Sequence, residues 1–407
     1  MHLRQLAAVL IGLVFFALPA IAAGEAEPQA LAAILDAMER KYGHRPAYAG
    51  LETGAERIVL RDVRFTPPRG EEGAEVRAAM VELSLPASEG GLYRIAALTL
   101  RDFVVEDGGV KEGKGLRIRI PLLELKDVSL LPRAAARSPR EELVADSLLA
   151  GAMNAPDIYF EPRDGQALVL KGMHSSWSGD RRTGMGKGRL DFGRLTLPVD
   201  LLSGEGGDDT LKALGYENLV LGAVMDFSGD WGEDGRVHVD FSFRFGADNA
   251  GYQQIEMIDL GVPEALMRRL SEMEKHDALA EELATAPEAA LKVLSGVTIR
   301  GMRLRYEDRS LAARLIDHMA KKEGIPREAW IANTAAFPQI FLMQIGLPRL
   351  AAQASDELRR FLADPKSLEV SFQAKAPMSL DSLMTLMADP AGLVDTLNLK
   401  IVANGGK

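Results

Sequence analysis

Cysteine is absent from all 407 residues of the chain. Its absence excludes a disulfide framework, a thiol nucleophile, cysteine-ligated zinc and a lipidated N-terminal cysteine. The six histidines form no H-E-x-x-H pair, and neither G-x-S-x-G nor S-x-x-K occurs. A zinc protease or a serine hydrolase is therefore not indicated. We predict no catalytic residue, no metal ligand and no cofactor, and we expect the protein not to be an enzyme.

A surplus of positive charge is also missing. The chain has 48 Lys and Arg against 58 Asp and Glu, which gives a formal net charge of −10. Nucleic acid and anionic lipid head groups are therefore disfavoured as partners. Hydrophobic residues make up 47% of the chain and charged residues 26%. That balance is typical of a folded protein and not of a disordered one.

The first 22 residues have the features of an export signal. Arg4 precedes an uncharged apolar run at 6–18, and Pro19 stands before Ala20-Ile21-Ala22. A basic start, an apolar stretch and an A-x-A site are typical of a secretory signal peptide. Export of a cysteine-free chain suggests the periplasm, with no transmembrane segment after cleavage. The alternative is attachment to the inner membrane by an uncleaved N-terminal helix.

A short hydrophobic pattern recurs along the chain. With h for a hydrophobic residue, it reads h-x-h, then Arg or Lys, then Asp or Gly, then h. Its five copies are residues 58–63, 98–103, 123–128, 168–173 and 297–302. The first three positions alternate as in a half-buried strand, but the last hydrophobic residue falls three positions after the previous one. We predict a β-bulge in each copy, with Asp or Gly at a positive φ.

The spacing of apolar residues predicts an α+β fold. Apolar stripes with a helical period predict helices at 28–43, 311–322, 327–345 and 348–363. Most of the remaining chain has strand patterns joined by short Pro and Gly turns, which indicates antiparallel pairing. We therefore predict long twisted antiparallel sheets of repeated bulged strand units, shaped as a half-barrel or groove, with helices concentrated in the C-terminal third.

Changes in composition suggest four segments. A basic, Pro-punctuated run at 134–140 precedes a predicted short helix at 141–153. The predicted organisation is a signal peptide at 1–22, an N-terminal helix and antiparallel β domain at 23–135, a linker with a short helix at 136–165, and a second β-sheet with a C-terminal helical layer at 166–407.

The clearest hairpin spans residues 219–245, and its turn contains Asp234-Gly235. Large apolar residues occupy alternate positions of both strands and therefore share one face. The candidate ligand-binding residues are Leu219, Leu221, Met225, Phe227, Phe241, Phe243 and Phe245. Two interpretations remain open: the C-terminal helices cover this face as an ordinary core, or the face stays partly open for an acyl chain or another apolar ligand.

The repeated strand units, together with Leu214-Gly215-Tyr216-Glu217-Asn218-Leu219 before the hairpin, resemble the AsmA-like and related β-rich envelope proteins of Gram-negative bacteria. The resemblance covers residues 56–132 and 166–306. It implies a role in outer-membrane homeostasis or phospholipid movement, and it implies no catalytic residues.

Three hypotheses for function follow from the sequence. The first is a non-enzymatic periplasmic protein that binds a lipid or another apolar envelope component on a curved β-sheet. The second is a scaffold or interaction module that meets a protein of the cell envelope. The third is a hydrolase with a site that its sequence does not reveal. An open apolar groove would favour the first, an unpaired sheet edge the second, and converging titratable groups the third.

Overall fold

The computed structural model describes residues 28–42, 45–65, 75–106, 115–162, 165–202, 210–273, 296–344, 346–387 and 390–405. They belong to two compact units, Met1–Gly184 and Met185–Lys407. The predicted signal peptide at 1–22 lies outside the described residues. Within both units every strand pair is antiparallel, and most helices lie in the C-terminal part of the chain, so the predicted α+β fold is confirmed.

The first unit is an antiparallel sheet with two described α-helices. Its strand order is β1-β2-β3-β5-β6-β7-β8, and β4 pairs with β5. The elements are α1 (Gln29–Tyr42), β1 (Gly50–Thr53), β2 (Arg57–Phe65), β3 (Glu75–Ser84), β4 (Ala87–Glu89), β5 (Leu92–Glu106), β6 (Leu116–Leu130), α2 (Pro139–Val144), β7 (Leu148–Pro162) and β8 (Leu168–Gly179).

Four copies of the repeated pattern have the predicted backbone conformation. The φ angles are +49° at Asp62, +49° at Asp102, +48° at Asp127 and +76° at Gly172. Glycine adopts this left-handed region freely, and Asp tolerates it better than most residues do. In the fifth copy Gly301 does not have a positive φ.

In the first unit, neighbouring strands have the same three-residue step between buried residues, and the steps lie opposite each other. Leu60 pairs with Val81 and Val63 pairs with Ala78, so both strands carry buried residues three positions apart at the same level. The register is unchanged across Asp62, and no residue is inserted there. In the second unit the register does shift: it shifts within the fifth copy, between Ile299 and Gly301, and beside Gly193 and Asp259, which have positive φ angles.

Residues 136–165 differ from the predicted linker. Helix α2 ends at Val144, and β7 pairs with both β6 and β8 as an interior strand. The Ala-rich run at 148–155 predicts a helix from propensity alone, but its backbone pairs with strands on both sides. The two compact units divide after Gly184, outside the predicted linker at 136–165.

The second unit combines a seven-stranded sheet, in the order β9 to β15, with helices that follow or interrupt it. The elements are β9 (Gly186–Pro198), α3 (Thr210–Ala213), β10 (Asn218–Trp231), β11 (Arg236–Ala247), β12 (Gly251–Pro263), α4 (Glu264–Met273), β13 (Thr298–Asp308), α5 (Leu311–Glu323), α6 (Arg327–Gln344), α7 (Pro348–Ala363), β14 (Ser367–Ser379), α8 (Leu380–Met387), α9 (Pro390–Leu397) and β15 (Lys400–Ala403).

Helices α5, α6 and α7 form a layer on the sheet, close to the predicted bounds. Gly324, with a φ of +69°, ends α5, and Pro348 begins α7. The core of this layer contains Ile316, Ile331, Ala335, Phe361, Leu362 and Ala403, with Tyr306 and Leu368 packed against it. None of the helices within the described ranges is long and apolar enough to cross a membrane.

Candidate functional site

The predicted hairpin is present, and its apolar residues lie opposite one another. Strand β10 pairs with β11 such that Met225 faces Phe243 and Phe227 faces Phe241. Directly paired residues of an antiparallel sheet project from the same face. The hairpin therefore places the candidate residues on one surface, as the alternation predicts.

Two of the predicted residues belong to a buried core at one end of this face. Leu219 is only 9% exposed and packs with Val199, Leu214 and Tyr216. Leu221 packs against the same cluster. These two leucines therefore stabilise the end of the hairpin and are separate from the more exposed surface beyond it.

Two rows of apolar side chains cross the middle of the same face, perpendicular to the strands. The Phe243 row joins six strands from β10 to β15, and the Phe241 row joins five from β10 to β14. Together we call them the apolar strip, which consists of Met225, Phe243, Ile255, Leu304, Val370 and Ile401 in the first row and Phe227, Phe241, Met257, Met302 and Phe372 in the second.

The apolar strip is open to solvent over part of its surface. None of its eleven residues is fully buried, and Leu304 and Val370 are 41% and 39% exposed. Aromatic rings line its β10–β11 end: Phe241 and Phe243 stack with ring centroids 6.4 Å apart, and Phe192 meets Phe243 edge-on at 6.4 Å. Half-buried aromatic rings at this spacing form a continuous apolar surface.

Packed clusters border the strip at both ends of the strands. On one side the next row along the strands includes Tyr306 and Leu368, which the helical layer covers. On the other side Val237 is 1% exposed, and Leu260 packs against Leu266 of α4. The helices therefore cover the ends of the face, whereas the strip between them remains partly exposed.

The reverse face of these strands is charged. Arg303 pairs with Glu256 at 2.7 Å and with Glu369 at 3.3 Å, and Arg305 pairs with Glu369 at 3.5 Å and with Glu307 at 3.3 Å. These charges, paired three times across strands and once along β13, neutralise one another in partial contact with solvent. The sheet therefore has one apolar face and one hydrated face at this level.

The titratable side chains of the described residues include a histidine that lies between two carboxylates. In the described segments, no three His, Asp or Glu side chains are placed to hold a metal ion. His238 lies between Asp259, at 2.7 Å from Nδ1, and Asp234, at 3.2 Å from Nε2. Hydrogen bonds to these two carboxylates raise the pKa of His238. Because the trio lies at the hairpin turn and Asp234 also accepts from the backbone of Arg236, we interpret it as a structural brace.

The arginines around the Gly-rich run at 184–188 are engaged by carboxylates. In the first unit Arg182 forms two hydrogen bonds with Glu141, and Arg181 pairs with Asp127. In the second unit Arg189 pairs with Asp226 at 3.0 Å. The carboxylates therefore occupy the arginine side chains that would be needed to bind a phosphate at the Gly-rich run.

Sequence reasoning missed the part of the strip that lies beyond the hairpin. Ile255, Met257, Met302, Leu304, Val370 and Phe372 all belong to the same surface. Their alternation along β12 to β14 was a usable signal, because residues two apart on a strand share a face. The sequence did not show the register, that is, which residues of neighbouring strands lie opposite each other.

A comparison with protein-family models gives a partial match. A family model described only as "Uncharacterized protein" matches residues 244–404. That segment contains β12 to β15 and the helical layer, and thus most of the apolar strip. None of the curated proteins compared with the chain matches it.

Proposed function

We propose that this protein binds an acyl chain of a lipid, or a similar elongated apolar component of the cell envelope, along the apolar strip. The observation that carries the proposal is the strip itself: eleven apolar side chains in two rows, none of them fully buried. Soluble proteins rarely leave a contiguous apolar surface of this kind exposed unless it contacts a ligand, a partner or a membrane.

The dimensions of the strip suit an acyl chain. Adjacent strands are about 4.8 Å apart, so the six strands of the Phe243 row extend over roughly 24 Å. One leaflet of acyl chains occupies about half of a hydrocarbon layer roughly 30 Å thick. An extended acyl chain could therefore lie across the strands within the length of one row.

The energetics also favour an acyl ligand. Each methylene removed from water contributes about 0.8 kcal/mol, so eight methylenes against the strip would contribute roughly 6 kcal/mol before the cost of ordering the chain. The strip contains no charged residue, so it provides no specific site for a head group. We infer that recognition depends on the apolar chain.

The cellular setting of this proposal rests on the N-terminal sequence. Arg4, the apolar run at 6–18 and Ala20-Ile21-Ala22 support export to the periplasm, where envelope lipids are available. Strand addition by a protein partner has less support, because the edge strand β15 contains only four residues.

Native mass spectrometry of protein purified without detergent, combined with organic extraction, tests the proposal. We expect stoichiometric lipid or fatty acid in the wild-type protein. Val370→Asp should abolish binding, because it places a charge on the strip at a position that is already 39% exposed. Ser371→Asp is the matched control: it lies on the reverse face of the same strand, opposite Arg303 and Lys400.

A wild-type protein with no bound apolar molecule, which also fails to take up a fluorescent fatty acid, would refute the proposal. Equal loss of ligand in Val370→Asp and Ser371→Asp would also argue against it, because only one of the two substitutions changes the strip. In either case crosslinking in intact cells would be the next search for a protein partner.

A further inference from the structure

A second apolar surface lies on helix α6, apart from the strip. Residues 329–348 form an uncharged run of twenty residues in a chain where 26% of residues are charged. The second half of α6 exposes Phe337, Ile340, Phe341 and Met343, which are 73%, 58%, 55% and 57% accessible. We call these four residues the α6 tip.

The first half of α6 holds the tip in place. Ile331 and Ala335 are 6% and 0% exposed in the core of the helical layer. The hydroxyl of Ser355 in α7 donates a hydrogen bond of 2.7 Å to the carbonyl oxygen of Ala335. The helix is therefore fixed at one end and presents large apolar side chains at the other, so the exposure is a stable property of the fold.

The tip has a convex surface. Phe337, Ile340 and Phe341 occupy helix positions i, i+3 and i+4 and thus form a ridge. A ridge does not enclose an acyl chain as a groove does, but it can enter an apolar layer. At roughly 200 Å² for each large side chain, the exposed fractions amount to roughly 500 Å², against roughly 800 Å² on each partner in a stable protein complex.

We propose that the α6 tip inserts into the interfacial region of a zwitterionic phospholipid bilayer. The tip residues carry no charge, and the chain has a net charge of −10, so an anionic surface would repel the protein. Shallow insertion of an apolar helix surface requires no complementary protein surface, and its strength follows the apolar area buried. This inference goes beyond lipid binding on the strip and does not depend on it.

Vesicle flotation with phosphatidylcholine liposomes tests the proposal. The double substitution Ile340→Glu and Phe341→Glu should weaken binding roughly 100-fold, because each charge opposes insertion by roughly 10-fold. Leu201→Glu with Leu202→Glu is the matched control, since these adjacent leucines are 52% and 39% exposed outside α6. All proteins have the same N-terminus, so residues 1–22 contribute equally.

The control should bind as the wild-type protein does, and binding should persist in about 0.5 M salt, where surface electrostatics are screened. Absence of wild-type binding to phosphatidylcholine, or equal binding by the tip variant, would overturn the proposal. So would binding that needs anionic lipid and disappears with salt, or tip-dependent self-association without vesicle binding. A failure of membrane insertion by the α6 tip is distinguishable from a failure of lipid binding on the apolar strip, because the tip variant leaves Val370 and its neighbours unchanged.

Discussion

Substitution of Glu141 tests how a buried ion pair stabilises the first unit. Glu141 is 9% exposed and receives hydrogen bonds from Arg182 Nε at 2.8 Å, Arg182 Nη2 at 2.9 Å and the Arg137 backbone at 2.6 Å. Arg182 also donates to the carbonyl oxygens of Ala135 and Gly90. The carboxylate thus holds an arginine that links three turns.

The loss of unfolding free energy expected in Glu141→Gln follows from the charge that the substitution removes. Hydrogen bonds from Arg182, followed by that from the Arg137 backbone, lower the pKa of Glu141 from 4.5 to about 2. At about 1.4 kcal/mol per pKa unit this shift sets an upper limit near 3 kcal/mol. Measured on the side chains alone, 12% of Glu141 and 25% of Arg182 remain exposed. Because of this exposure, we expect Glu141→Gln to lower the free energy of unfolding by about 2 kcal/mol.

The stability that Glu141 contributes should depend on pH in one direction only. Because the pKa of Glu141 is lower in the folded than in the unfolded state, its contribution is complete above about pH 4.5 and declines as the pH falls towards 2. The wild-type protein should therefore lose more stability over this range than the Gln variant does.

Urea unfolding followed by Trp177 fluorescence, in a background with Trp231→Phe and Trp330→Phe, reports on the first unit. Glu142→Gln is the matched control, because Glu142 is the exposed neighbour in the same helix. A change below about 0.5 kcal/mol in Glu141→Gln, the usual range of surface substitutions, would refute the reasoning. An acid dependence equal to that of the wild-type protein would refute it as well.

Three further predictions concern the backbone, a histidine and the helical core. At Asp102, where φ is +49°, Val should cost about 1–2 kcal/mol more than Gly in denaturant titrations, because a β-branched residue is strained there. The raised pKa of His238 means that its stabilisation is complete below about pH 6.5 and is lost as the pH rises through the raised value; Asp259→Asn should lower that pKa in NMR titrations. Phe361→Ala removes a ring that is 6% exposed and meets Tyr306 edge-on, and thermal unfolding should show a loss of about 3–5 kcal/mol.

Local signals predicted the three helices of the helical layer, and they predicted the left-handed residue in four of the five copies of the repeated pattern. The helical layer begins and ends close to its predicted bounds, because Gly324 and Pro348 act on the backbone directly. Asp62 and Asp102 were identified because a phase shift requires an unusual conformation nearby. Gly193 was missed, since the residue before it is Phe192 and not a basic residue.

The first half of strand β7 was missed for a different reason. Ser138 accepts a hydrogen bond from the Glu141 backbone N–H at 3.3 Å, so Ser138 to Glu141 has the S-x-x-E sequence of a capping box. That motif indicates the start of α2 but not its length. Helix α2 ends at Val144, and Ala150 and Ala152 then pair with Val128 and Lys126 of β6. Tertiary pairing outweighs helix propensity in this segment.

The solvent exposure of the apolar strip could not be predicted from the sequence. A comparison of two leucines tests the reason. Leu100 and Leu304 occupy similar apolar strand positions, but Leu100 is 7% exposed and Leu304 is 41% exposed. Alternation shows which residues share a face, whereas burial depends on what covers that face. Leu100→Ala should therefore cost about 2–4 kcal/mol in chemical denaturation, and Leu304→Ala less than about 1 kcal/mol. If the two changes cost the same, then the strip is covered in solution and cannot receive a ligand without rearrangement.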